Sequence, residues 1–174
     1  NVMWDLAVHD IAICCYLLNE KPISVQAVGI SHTKNELENI AYITLNYKSQ
    51  KLIHFNCSWI SPVKIRHMLI GGDKKMIVFN DLETTEKIKI YDSSYANKIN
   101  PENRGQILTD YRIGDIFIPK IEQIEGLRNM AEDFINSIQS NKEPISNFDL
   151  ALDIVKILES AQKSIKSNGV VVEI

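Results

Sequence analysis

The chain has 174 residues, 45% of them hydrophobic, enough to bury a core in one domain. Its 22 acidic and 19 basic residues are mixed along the length and leave a net charge of −3, which makes no electrostatic case for nucleic acid or for an anionic membrane surface. No stretch approaches the ~18 apolar residues of a membrane span.

Residues 4–19 read as a helix that is apolar on nearly every side, hence central. Pro22 follows its end, where proline commonly stands. Alternating residues over 23–31 and 37–47 predict strands, and the short "KSQ" (48–50) links the second to a further strand over 51–60. "SP" (61–62) breaks that strand. Alternation resumes over 63–72, turns at "GGDKK" into 76–80, and returns over 86–91. Residues 92–113 are polar with little periodicity and read as an irregular loop, and 115–119 read as a possible return to the sheet. Leu127, Met130, Ala131, Phe134, Ile135 and Ile138 trace a helix at spacings of three and four. Another helix follows, capped near Ser146 or Asn147, with Leu150, Ile154, Ile157, Leu158, Ala161 and Ile165 inward and Gly169 at its stop. A last strand spans 170–174. The expectation is a single α+β domain over 1–174, a large, mostly antiparallel sheet with helices on one face.

Three cysteines without a C-x-x-C spacing argue against zinc or a redox pair and for reduced thiols in the cytoplasm. Within the first helix, "DLAVHD" places Asp5 and His9 four residues apart on one face. Histidine suits proton transfer near neutrality, and a carboxylate one turn away can orient its ring. The same spacing is met by a locally paired Asp and a satisfied core His. Adjacent Asp10 points aside, so a metal held by Asp5, His9 and Asp10 is the weakest reading. A second candidate is "SWISPVKIR" (58–66): Trp59 can stack on a sugar, and Lys64 and Arg66 can bind phosphate or carboxylate. Its plainer reading is a hairpin corner with a core Trp and surface cations.

Four segments taken together resemble one family. "WDLAVHDIAICCYLLNEKPISVQAVG", "CSWISPVKIRHMLIGGDKKMIVFND", "IPKIEQIEGLRNMAEDFINSI" and "ALDIVKILESAQKSIKSNGVVVEI" are similar, in order, to landmarks of the C-terminal domain of Gfo/Idh/MocA oxidoreductases, with nucleotide-sugar dehydrogenases and oxidases the nearest in kind. The resemblance implies that His9 is the acid/base at a sugar hydroxyl with Asp5 beside it. It also implies that the corner with Trp59, Lys64 and Arg66 lies near the substrate. It implies NAD or NADP as cofactor, bound by a preceding Rossmann half with a G-x-G-x-x-G and a catalytic E-K-P lysine. Neither motif stands in its place here: Glu20-Lys21-Pro22 closes the signature helix instead. Ala12 replaces an acid common in relatives, and Glu125-Gly126-Leu127 stands where many have E-P-L.

The function expected is that of the substrate-binding and oligomerisation domain of an NAD(P)-dependent oxidoreductase acting on a sugar or nucleotide sugar. The 174 residues alone are expected to bind no cofactor and turn nothing over. The alternative is a non-catalytic binding or assembly module that kept the fold. No nucleic-acid or membrane partner is expected, and a homo-oligomer is expected through the open sheet face, where Leu52 and Ile60 oppose Ile53, Phe55, Cys57 and Trp59. Relatives carry a strand before the signature helix, so Asn1 is expected to begin inside the domain and to leave Trp4, Leu6 and Val8 short of cover.

Overall fold

The computed structural model describes residues 1–34, 37–97 and 109–174, with the side chains of 93–97 and 109–113 excepted. A π-helical turn, Met3–Ala7, runs into α1 (Val8–Leu18). There follow β1 (Ser24–Ile30), β2 (Ile40–Asn46), β3 (Leu52–Ser58), β4 (His67–Gly71), β5 (Met76–Asn80), β6 (Ile88–Asn97) and β7 (Thr109–Phe117). Then come α2 (Gly126–Ser140), α3 (Phe148–Lys166) and β8 (Val172–Glu173). The α+β class stands as read from the sequence. The residues fall into two compact units, Asn1–Pro62 with Met130–Ile174, and Val63–Asn129. None of the helices among the described residues is long and apolar enough to cross a membrane.

In the first unit, β3-β2-β1-β8 form an antiparallel sheet. Period-2 alternation sends Val25 and Ala27 of β1, Ala41, Ile43 and Leu45 of β2, and Phe55 and Cys57 of β3 to one face. There they meet Met3, Ala7, Ile11 and Cys14, spaced by four, four and three, and the α3 stripe Ile154, Ile157, Leu158 and Ala161. The "KSQ" connection closes because Gln50 takes a left-handed φ of 63°, with its N–H on the Tyr47 carbonyl. Asn147 caps α3 by accepting the Leu150 N–H at 2.9 Å. At the other end Gly169, with φ 80°, returns its N–H to the Ser164 carbonyl.

In the second unit, β4-β5-β6-β7 form an antiparallel meander. Five expectations are corrected here. The single sheet resolves into two of four strands each. Residues 92–97 and 109–113 are strand, not loop: β6 runs to Asn97 and pairs with β7 from Thr109, Ser93 opposite Ile113 after a bulge. Ladder bonds come from the backbone, so a polar, aperiodic stretch pairs without announcing itself. Residues 98–108 of that stretch lie outside the described residues. Residues 63–66 precede β4 and are not strand, and the last strand is only Val172–Glu173. Finally, the first helix is not central: Tyr16 and Leu17 are exposed, and one stripe alone is buried. Leu6 and Val8 pack against the core, whereas Trp4 is exposed.

Candidate functional site

Asp5 lies in the π-helical turn, where the Val8 N–H reaches back five residues to the Met3 carbonyl. Such widened turns are frequent at functional sites. Met3 and Ala7 anchor the turn in the core, which turns Asp5 and His9 outward, and both are exposed. The satisfied-core reading of His9 therefore fails, because a ring on the solvent face has no core to satisfy it. Among the described residues no hydrogen bond joins Asp5 to His9.

The structure does bring Trp59 to this face. Its indole Nε1–H donates to Asp5 Oδ2 at 2.8 Å. A carboxylate has roughly four lone-pair sites, so one indole leaves capacity for a further donor. Trp59 stands just past β3, fixed by its own N–H on the Asn39 carbonyl at 2.9 Å. Asn39 is buried, and its Oδ1 lies 3.0 Å from His32 Nδ1, while its Nδ2 has no partner among the described residues. The sequence singled out neither Asn39 nor His32. An Asn between two loops carries no periodic signal, and only the β1–β2 pairing makes it a bracket for the Trp59 corner. Trp59 itself is half-exposed rather than core, so that side of its plainer reading also falls.

Lys64 and Arg66 belong to the second unit. There Arg66 Nε lies 3.8 Å from Asp81 Oδ2, and its carbonyl accepts the Asp81 N–H at 3.0 Å. Lys87 shares the same carboxylate at 3.2 Å. Arg66 is thus tied to the turn after β5.

Glu20 and Lys21, the misplaced E-K-P, are structural. The Glu20 carboxylate accepts from Lys51 Nζ at 2.6 Å and from the Ser49 hydroxyl and N–H, which hold it down to about pH 2 from the ordinary 4.5, the Lys51 bond first. Lys21 pairs with Asp153 of α3 at 2.7 Å.

The three cysteines are free thiols. Burial first, then the charge of Asp10, pushes Cys57 up to about 11. Burial, then Cys15 and Asp10, pushes Cys14 up to about 12. Neither thiol forms a thiolate near neutrality, which removes both as nucleophiles.

Among the described residues no group of three His, Cys, Asp or Glu is placed to hold a metal. Gly71-Gly72 turns β4 into β5, with the Gly72 N–H on the Lys75 carbonyl, and opens no helix. What this face offers is an exposed imidazole, a carboxylate one turn away, and an aromatic ring locked to that carboxylate.

Residues 1–78 match the model of the family described as GFO/IDH/MocA C-terminal domain, which bears out the resemblance read from the sequence. Among curated proteins no match is found. The fold is that of several solved structures. One is UDP-N-acetylglucosamine 3-dehydrogenase from Acidithiobacillus ferrooxidans, 18% identical with a TM-score of 0.72, over 95% of this chain and 48% of that one. Another is aldose-aldose oxidoreductase from Caulobacter crescentus, 15% identical with a TM-score of 0.73, over 100% and 48%. A third is an NAD-binding protein from Listeria innocua, 13% identical with a TM-score of 0.69, over 99% and 47%. The chain spans about half the length of each.

Proposed function

We propose that this chain, whose residues 1–78 carry the Gfo/Idh/MocA C-terminal domain signature, is the substrate half of an NAD(P)-dependent oxidoreductase acting on the hydroxyl or ketone of a sugar, the sugar of a nucleotide sugar in particular. The observation that carries the reading is the Trp59–Asp5 hydrogen bond, which sets an aromatic platform beside the D-x-x-x-H face. The identities of two solved relatives, a nucleotide-sugar dehydrogenase and an aldose oxidoreductase, support the substrate class.

In this reading His9 takes the proton of the reacting sugar hydroxyl, or returns it in the reverse direction. Asp5, one turn away, is assigned to orient the imidazole when substrate is bound, much as the carboxylate of a catalytic triad does. Trp59 holds Asp5 in place and presents its ring to an apolar sugar face. Lys64 and Arg66 lie in the second unit, where a cation of either kind suits a phosphate or carboxylate group. The dinucleotide would accept the hydride, and the residues of this chain do not hold it. The open face of β3-β2-β1 is assigned to self-association.

The test is turnover by the protein encoded by the complete gene. His9→Ala should lower turnover by ~10²–10⁴-fold with an unchanged circular dichroism spectrum, and Asp5→Asn should lower it less. Full activity in His9→Ala would place the acid/base elsewhere.

A further inference from the structure

We propose that Asn39 is a positioning residue for the Asp5–His9 face, acting through Trp59, an inference that rests on the function proposed above. β2 presents Ala41, Ile43 and Leu45 inward, all buried and apolar. Period-2 alternation puts Asn39 next in that row, and it is only 2% exposed. It is the polar member of the row. Burying an amide is costly unless its hydrogen bonds are made, so the groups it does bond to are informative.

The register that sets Ile40 opposite Ser58 continues to Asn39 opposite Trp59. A hydrogen-bonded antiparallel pair exchanges two backbone bonds. Here one is made: the Trp59 N–H donates to the Asn39 carbonyl at 2.9 Å, while the Asn39 N–H turns to the Ile30 carbonyl at 3.0 Å. The backbone at Asn39 is therefore divided between β1 and the end of β3, and the ladder alone does not fix it. The side chain adds a third hold. Its Oδ1 lies 3.0 Å from Nδ1 of His32, on the connection from β1 to β2. A carbonyl oxygen only accepts, so this bond takes the Nδ1–H tautomer of the imidazole or its charged form.

Trp59 passes this hold to the site, since its indole Nε1–H donates to Asp5 Oδ2 at 2.8 Å. The turn that carries Asp5 is also held from its start, where the Val2 N–H donates to the Glu38 carbonyl at 3.0 Å. Asp5 is thus set from two directions, through the backbone at Val2 and through the side chain of Trp59. Both paths end on adjacent residues, Glu38 and Asn39. A shift of the Asn39 peptide moves the Trp59 ring and the Asp5 carboxylate together. A misplacement of about 1 Å can cost catalysis on the order of 10²-fold even when it starts away from the reacting atoms.

NMR of the protein encoded by the complete gene, with isotope-labelled tryptophan, tests this. The Trp59 indole N–H signal is identified by its loss in Trp59→Phe. Asn39→Ala should displace that signal in the direction seen in Asp5→Ala, which removes the acceptor. Turnover should fall on the order of tenfold in Asn39→Ala, and adding Asn39→Ala to Asp5→Ala should slow the enzyme no further. His32 is exposed, so His32→Ala spares the core. Should Asn39→Ala not fold, a smaller displacement of the same signal in His32→Ala carries the test. An indole signal unmoved in every folded one of these two variants would overturn the proposal, as would turnover losses that simply add. Wild-type turnover in Asp5→Ala would sink the proposed function and this inference together. With Asp5→Ala impaired and the indole signal unmoved, this inference alone would fall.

Discussion

Ser164 shows how much one buried hydroxyl decides. It lies on the inner side of α3 with no exposure at all. Its Oγ accepts the Ala27 N–H at 2.9 Å and donates to the Val170 carbonyl at 2.6 Å. The ladder explains why: β8 pairs with β1 only at Ser24 and Val25, so Ala27 has no strand on that side. The serine takes the place of the missing strand. Ser164→Ala leaves a buried N–H unpaired and should cost ~1–3 kcal/mol, read as a lower urea midpoint at unchanged m-value. Trp59 and Asp5 are coupled in a comparable way, since neither side chain is held by the core and each fixes the other.

At the scale of elements, α3 is the brace of the first unit, and its end is as well defined as its start. Gly169 sits at φ 80°, and a Cβ there would come within 2.8 Å of Val28 Cγ1. Both the dihedral and the contact therefore select glycine. Gly169→Ala should destabilise the protein by about 1 kcal/mol or more, seen as a fall in Tm, because the strained turn must shift either β1 or the start of β8. By contrast α2 has the sharper apolar periodicity and the poorer burial. Periodicity reports what a helix is built to cover, not what covers it.

For the whole molecule, the face of β3-β2-β1 turned away from the helices carries Val28, Ile30, Tyr42 and Leu52, all exposed. Tyr42 stacks on His54 there, with ring centroids 5.9 Å apart and planes within 15°. An apolar, aromatic sheet face suits pairing with a second copy. Light scattering should give a species larger than a monomer at micromolar concentration, and Tyr42→Asp should reduce it to monomer. Monomer at every concentration would refute self-association through this face.

The sequence by itself determined the α+β class, the order of elements, the α3 stripe from Leu150 to Ile165, and the Gly169 stop, because each rests on local periodicity or a local dihedral. It also carried the resemblance to the GFO/IDH/MocA C-terminal domain, through "WDLAVHD" and the segments that follow, and the family model matches over residues 1–78. It placed Asp5 and His9 on one face but left open whether that face was core. Only the tertiary structure decided this: Met3, Ala7, Ile11 and Cys14 take the buried side, so the other residues of the turn must face out. It likewise decided that Trp59 reaches Asp5 across 54 residues of chain, that Asn39 braces it, and that Arg66 is drawn to Asp81. The β6–β7 pairing was hidden for the same reason. Hydrogen bonds between distant segments depend on which backbones and side chains the sheet brings together, and neither composition nor period along the chain encodes that meeting.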